Sequence, residues 1–163
     1  PELFTNPRQQ DGRGSFSTVF SSKALRNLNS SELYVSVSRT KHAGTVRGLH
    51  FQMSPFAENK LLTVVTGSIF DVVVDLDDSI PLSKRIYTYK LDSQAGQTLF
   101  IPKGFAHGFQ SLSDDTTVLY SLDSEYMESA TCGYSPLSSC LRELWPTAPM
   151  NIKPEDLAWP VLD

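Results

Sequence analysis

Apolar and polar residues alternate with a period of two, or gather as β-branched runs, over Ser15 to Phe20, Leu33 to Arg39, Thr45 to Phe51, Lys60 to Thr66, Ile69 to Leu76, Arg85 to Lys90, Thr98 to Ile101, His107 to Leu112 and Thr116 to Leu122. In an extended chain that period puts successive side chains on opposite faces, so each run predicts a β-strand. Turn signals stand between them, at Asp11-Gly12, Asn29-Ser30, Thr66-Gly67-Ser68, Asp77-Asp78-Ser79, Ala95-Gly96 and Lys103-Gly104. Helix-length patterns are scarce. Near the end, Pro154 to Leu157 reads as one short helical segment, with Pro154 suited to a first helical position. Many short strands at regular spacing predict an all-β sandwich or barrel, and closure disposes of exposed edges, which favours a jelly roll.

Parity within a strand says which side chains share a face. In Ile69 to Leu76, Phe70, Val72, Val74 and Leu76 lie on one side and Ile69, Asp71, Val73 and Asp75 on the other. The first face predicts core, while the second carries two carboxylates that line a polar interior or meet solvent. In Thr45 to Phe51, Val46, Gly48, His50 and Gln52 share a face and Arg47 takes the other, unless Gly48 bends the chain. From Ser113 to Pro149 the chain is rich in Ser, Asp, Pro and Gly, and this tail is expected to pack back on the barrel. No repeat or linker divides the chain, which predicts a single domain over residues 1–163.

Composition narrows the classes. At 163 residues the chain has the length of one domain, and a net charge of -4 argues against wholesale binding to a nucleic-acid backbone. No apolar run approaches the ~18 to 20 residues needed to cross a bilayer, and no charged-then-apolar segment opens the chain, so a cytoplasmic protein without a membrane partner is expected. Cys132 and Cys140 are too few for a disulfide framework and are expected as thiols.

Chemistry-bearing residues concentrate in a few stretches. Arg47-Gly48-Leu49-His50-Phe51-Gln52 puts a histidine and an arginine around a glycine on one strand. Lys60 opens a strand with apolar alternate positions; solvated at the surface it needs nothing, but buried it needs an anionic partner. Ile101-Pro102-Lys103-Gly104-Phe105-Ala106-His107-Gly108-Phe109 joins a turn to a strand that carries a second histidine between two aromatics. Tyr120 lies late in the last strand, with Tyr126 six residues beyond.

Taken in order, Asp11-Gly12-Arg13-Gly14-Ser15-Phe16, the Arg47 to Gln52 strand, Asn59-Lys60-Leu61 through Phe70 to Leu76, the Ile101 to Phe109 stretch, Val118-Leu119-Tyr120, Tyr126, Leu144-Trp145-Pro146 and Glu155 to Pro160 resemble the dTDP-4-dehydrorhamnose 3,5-epimerase family of cupins. The resemblance implies a cupin jelly-roll barrel (a double-stranded β-helix). It also implies an isomerase that acts without cofactor or metal on a nucleoside-diphosphate 4-keto-6-deoxy sugar, inverting C3, C5 or both. By the same resemblance His50 is the base and Asp156 fixes its tautomer. Lys60 faces the C4 oxygen and Tyr120 returns the proton from the opposite side. Arg13, Arg47 and His107 contact diphosphate and sugar, Tyr126 stacks on the nucleobase, and Phe16 and Gln52 join the substrate-facing residues. The family exchanges the N-terminal segment around Arg13 between subunits, which implies a homodimer. The setting implied is deoxysugar biosynthesis, as for a lipopolysaccharide O-antigen.

The chain departs from the family where many members carry Gln-x-Asn and this one has Val35 and Val37. Thr18 and Thr131 stand where family glutamates are expected, and the usual Asp-Pro near Trp145-Pro146 gives way to a segment with Ser135-Pro136-Leu137. These changes point to a substrate other than the standard thymidine sugar, linked to cytidine or guanosine diphosphate or built on a dideoxy sugar or heptose. Three other readings fit parts of the pattern. A metal-dependent cupin would draw on His42, His50 and His107, but the chain has no His-x-His followed by a carboxylate. A nucleotide-sugar 3,4-ketoisomerase would share the barrel and normally lack the lysine. A non-catalytic sugar-nucleotide binding module would have no use for base, donor and cation together.

Overall fold

The computed structural model describes residues 1–28 and 32–162, so the Asn29-Ser30 turn lies outside the described residues. Its strands are β1 (Glu2–Thr5), β2 (Arg8–Asp11), β3 (Gly14–Ser17), β4 (Tyr34–Thr40), β5 (Val46–Gln52), β6 (Lys60–Thr66), β7 (Ser68–Asp75), β8 (Ile86–Asp92), β9 (Gln97–Ile101), β10 (Phe105–Ser111), β11 (Thr116–Leu122) and β12 (Thr131–Gly133). Three short helices accompany them, α1 (Ser22–Leu25), α2 (Ser139–Arg142) and α3 (Pro154–Ala158). Two five-stranded sheets, ordered β1-β9-β6-β11-β4 and β12-β5-β10-β7-β8, form the barrel, and β2 and β3 make a separate hairpin. All pairings between these strands are antiparallel.

The expected all-β jelly roll is the one found, with three layers of apolar packing around it. Leu62, Val64, Leu99, Ile101 and Val118 of the first sheet meet Ile69, Val73, Leu91 and Phe109 of the second inside the barrel. The outer face of the second sheet offers Val46, Leu49, Val72, Val74 and Ala106, which are covered by Leu141, Trp145 and Leu162 of the C-terminal tail. Outside the first sheet, Leu61 is covered by Phe4 and by Ala24 and Leu28 at α1. The tail thus packs back as expected, and Trp145 is pinned there by donating its indole N–H to the Pro136 carbonyl at 2.8 Å. Cys132 and Cys140 are both thiols.

Several elements differ from the pattern-based expectation. The run Ser15 to Phe20 is strand only as far as Ser17, where it closes the β2–β3 hairpin; beyond it the Val19 carbonyl is taken by Asn6 and Thr98 side chains, which turns the chain away. Polar β2 and three-residue β12 carry too little alternation to be read, because their pairing comes from the neighbouring strand. On β7 both faces are buried: Phe70, Val72 and Val74 lie under the tail, while Ile69 and Val73 enter the barrel. Asp71 shares the barrel side and is fully buried, so it lines the interior and does not meet solvent.

Candidate active site

A cavity of about 1230 Å³ opens into the barrel, lined among others by Arg47, His50, Lys60, His107, Tyr120 and Asp156. These six come from β5, β6, β10, β11 and α3, and their convergence begins with a bend in β5. The β5–β10 register pairs His107 with His50 but Phe109 with Arg47, so β5 carries one residue more than its partner between these points. The extra residue falls at Gly48, whose φ is +99. Two-residue parity alone would have separated Arg47 from His50; the bulge brings both to the cavity. A side chain at 48 has no room, since a Cβ there would stand 2.6 Å from the His107 carbonyl oxygen and 2.8 Å from Gly108 Cα. Gly48→Ala is therefore expected to destabilise the fold by on the order of 1–3 kcal/mol and to displace His50, as read by thermal unfolding and by the His50 imidazole signals in NMR.

Asp156 clasps this bend from the C-terminal segment. Its Oδ1 lies 2.6 Å from His50 Nε2, and its Oδ2 accepts the Gly48 amide at 3.2 Å. Pro154 opens α3 as expected, and the helix carries Asp156 inward, where it is buried. Burial pushes the Asp156 carboxyl up, but the hydrogen bond and charge of His50, the Gly48 amide and the Lys153 charge together outweigh it, holding the group below the usual carboxylate range. An ionised Asp156 can only accept, so a neutral His50 ring paired with it carries its proton on Nε2 and its lone pair on Nδ1. The pairing expected of these two residues is the one found.

A second histidine and carboxylate stand on the two neighbouring strands of the same sheet, His107 beside His50 on β10 and Asp71 beyond it on β7. His107 Nε2 lies 2.7 Å from Asp71 Oδ2, with both residues buried. Among the described residues, Asp71 Oδ1 has no hydrogen-bond partner. Asp71 and Glu58 are site residues that sequence reading left unassigned; for Asp71 the signal was a carboxylate between Ile69 and Val73 on the barrel side of β7. The Tyr120 ring packs edge-on to His107, with centroids 6.4 Å apart. Burial raises the Tyr120 phenol well above its ordinary range, the Asp71 charge adds to this, and the Arg47 guanidinium opposes it. Tyr120 thus holds its proton at any physiological pH.

Lys60 is half-buried, and the anionic partner that burial demands is Glu58, at 2.9 Å between Nζ and Oε1. Arg47 reaches the cavity braced by Thr40, which accepts from Nε at 3.0 Å, and by the Arg39 carbonyl, which accepts from Nη2 at 3.0 Å. Tyr126 lines the outer end of the cavity with 71% of its surface exposed. Gln52 lines the wall as well, but its carboxamide is engaged by the protein on both sides. Arg13 and Phe16 do not reach this chain's cavity. They sit on the β2–β3 hairpin, where Arg13 pairs with Asp11 and Phe16 is 74% exposed.

The departures at 35 and 37 also receive a place. Tyr120 is paired directly with Ser36, so Ser36 shares its cavity face while Val35 and Val37 project from the opposite side of β4, at 64% and 47% exposure. They are not walls of this chain's cavity, whereas Thr131 is. Among the described residues, no three His, Cys, Asp or Glu side chains converge as a metal ion would require.

Facing antiparallel sheets closed into a jelly roll, with polar side chains converging inside the barrel, define this protein as a cupin. The chain belongs to the dTDP-4-dehydrorhamnose 3,5-epimerase family, whose model matches residues 2–163. It is 40% identical over 118 residues to the dTDP-4-dehydrorhamnose 3,5-epimerase of Sinorhizobium fredii, covering 71% of this chain and 60% of that protein, so it spans under two thirds of that relative's length. Against the dTDP-4-dehydrorhamnose 3,5-epimerase of Shigella flexneri it is 33% identical over 153 residues, 93% of this chain and 77% of the other. Among solved structures, that of dTDP-4-dehydrorhamnose 3,5-epimerase from Bacillus anthracis with TDP and PPi bound superposes with a TM-score of 0.87 at 35% identity, covering 98% of this chain and 93% of that one. The epimerase of Legionella pneumophila in complex with dTDP-4-keto-L-rhamnose superposes with a TM-score of 0.86 at 29% identity, covering 98% and 86%.

Proposed function

We propose that this protein is a cofactor-independent isomerase that inverts C3, C5 or both in a nucleoside-diphosphate 4-keto-6-deoxy sugar. The observation that carries the proposal is one cavity lined by a carboxylate-paired histidine, a protonated phenol and an ammonium. A hydrogen on a carbon next to a ketone is acidic because its loss leaves an enolate, with the charge delocalised onto oxygen. The reaction needs a base for that hydrogen, a cation for the oxygen and an acid on the other face of the carbon. His50, turned by Asp156, takes the proton through Nδ1. Lys60 meets the enolate oxygen, and Tyr120, whose proton is retained until needed, reprotonates the carbon from the opposite side. Arg47 grips phosphate, His107 steadied by Asp71 contacts the sugar, and Tyr126 offers a ring to the nucleobase.

Arg13 and Phe16 act in trans: the exposed β2–β3 hairpin reaches the cavity of a second copy in a homodimer. Selectivity for the nucleotide is set at the Tyr126 end, where Thr131 lines the cavity in place of a family glutamate. The deciding experiment incubates the protein in heavy water with 4-keto-6-deoxy sugars carried on thymidine, cytidine and guanosine diphosphates, and locates deuterium by NMR. Deuterium at C3 or C5 with inverted configuration is expected. A keto group that moves to C3, or binding without any exchange, would replace the proposal by the ketoisomerase or the binding module.

Asp156→Asn is expected to slow exchange and to alter its pH profile, because an amide no longer selects the His50 tautomer that leaves Nδ1 unprotonated. The stability effect has a definite sign. A carboxyl depressed in the folded state contributes stability above its unfolded value of ~3.9 and loses it as pH falls through the folded value. Denaturant unfolding at neutral and at strongly acidic pH should therefore show a smaller acid-induced loss in Asp156→Asn than in the unsubstituted protein.

A further inference from the structure

Two polar residues of the cavity wall have no part in the chemistry above, yet they lead in line from Lys60, Glu58 first and Gln52 behind it. The Glu58 side chain is 7% exposed, and its Oε1 holds Lys60 Nζ, on a side chain itself 12% exposed, at 2.9 Å. Its other oxygen, Oε2, accepts from Gln52 Nε2 at 3.0 Å. The two hydrogens of the same nitrogen are shared between Glu58 and the Phe56 and Glu125 carbonyls, which also lie 3.0 Å away, and Gln52 Oε1 accepts the Met127 amide at 2.6 Å. Because the Met127 N–H requires an acceptor, the carboxamide is oriented with its oxygen toward that loop and its nitrogen toward Glu58. One side chain on β5 therefore joins the segment leading into Lys60 to both chain neighbours of Tyr126.

We propose that Glu58 and Gln52 are positioning residues for Lys60, a relay that ties the place of its ammonium in the cavity to the loop carrying Tyr126. The proposal rests on the epimerase reading, in which Lys60 meets the ketone oxygen. An ammonium on a flexible four-carbon stem stabilises developing charge well only where its position is set beforehand. Glu58 occupies one N–H, leaves two for the ligand, and supplies the anion that a buried cation needs. Gln52 stops Glu58 from turning out of the cavity, and by holding Glu125 and Met127 it makes the aromatic platform and the ammonium parts of one frame. Sequence reading placed Gln52 among the direct substrate contacts; with its carboxamide engaged on both sides, it serves the ligand through Lys60 and the loop.

The test measures deuterium exchange, its pH profile and the affinity for dTDP in the intact protein and its variants. Glu58→Gln is expected to lower the exchange kcat by ~10²-fold, the scale for a lost oxyanion donor, and to move the alkaline limb of the profile to lower pH, with dTDP affinity unchanged. Glu58→Asp keeps the charge but withdraws the oxygens; a partial loss with an unmoved limb is expected, and it carries the test if Glu58→Gln does not fold. In a Lys60→Met background Glu58→Gln should cause no further loss, since it acts only through Lys60. Gln52→Leu should weaken both exchange and dTDP binding. A wild-type rate and pH profile in both Glu58 variants, or losses that add in the Lys60→Met background, would overturn the relay. Absence of exchange in the unsubstituted protein would instead sink the epimerase reading.

Discussion

His50→Ala is expected to abolish exchange of the sugar's C3 and C5 hydrogens with solvent, a loss of ~10²- to 10⁴-fold on the scale of general base catalysis. Several features make this residue hard to replace. Asp156 sits 2.6 Å from Nε2 and is buried, so the ring is turned with its other nitrogen toward the cavity. His107, the other cavity histidine, neighbours His50 across β5 and β10, but its Nε2 is already engaged by Asp71 and its ring packs on Tyr120. Binding should survive, because Arg47, Lys60 and Tyr126 are untouched. A calorimetric dTDP affinity near that of the unsubstituted protein, alongside lost exchange, is the expected pair of results. Near-normal exchange in His50→Ala would remove His50 from the chemistry.

On the proposed reaction, Tyr120→Phe should separate hydrogen exchange from inversion. Removing the phenol leaves His50, Asp156 and Lys60 in place, so a hydrogen is still taken and can be returned from the side on which it left. Deuterium is then expected in recovered substrate of unchanged configuration, with the inverted product strongly reduced. The variant should fold, because the ring remains in the barrel against His107 and the phenol oxygen has no hydrogen bond among those found for the described side chains. Following label and configuration in the same NMR time course gives the ratio directly. Equal loss of exchange and inversion would place the proton donor elsewhere in the cavity.

How much was readable in advance varied with how local the cause was. The nine strong alternations all correspond to strands, although Ser15 to Phe20 was cut short by contacts to Val19 from Asn6 and Thr98, which are distant in the chain. His50, Lys60, His107 and Tyr120 were legible as residue types standing in diagnostic neighbourhoods. The condition attached to Lys60 could be stated from desolvation alone, but its partner could not be chosen from the charges nearby. Asp71 and Asp75 looked alike by parity; one is fully buried and hydrogen-bonded to His107, while the other lies at the end of the strand, only partly buried. The valines at 35 and 37 show the reverse case, in which a departure that reads like a change in the ligand's walls falls on the far face of β4.

From residue order alone came the strand pattern, the jelly roll, the packed tail and the residue types able to handle an acidic C–H bond, because alternation, turn chemistry and intrinsic reactivity are properties of short stretches of chain. The folded molecule alone decided that a bulge at Gly48 turns Arg47 and His50 to one cavity, that Asp71 pairs with His107, and that Glu58 joins Lys60 to Gln52. Those outcomes depend on register between strands and on which charges become buried together, and both are set by packing between segments far apart in the chain.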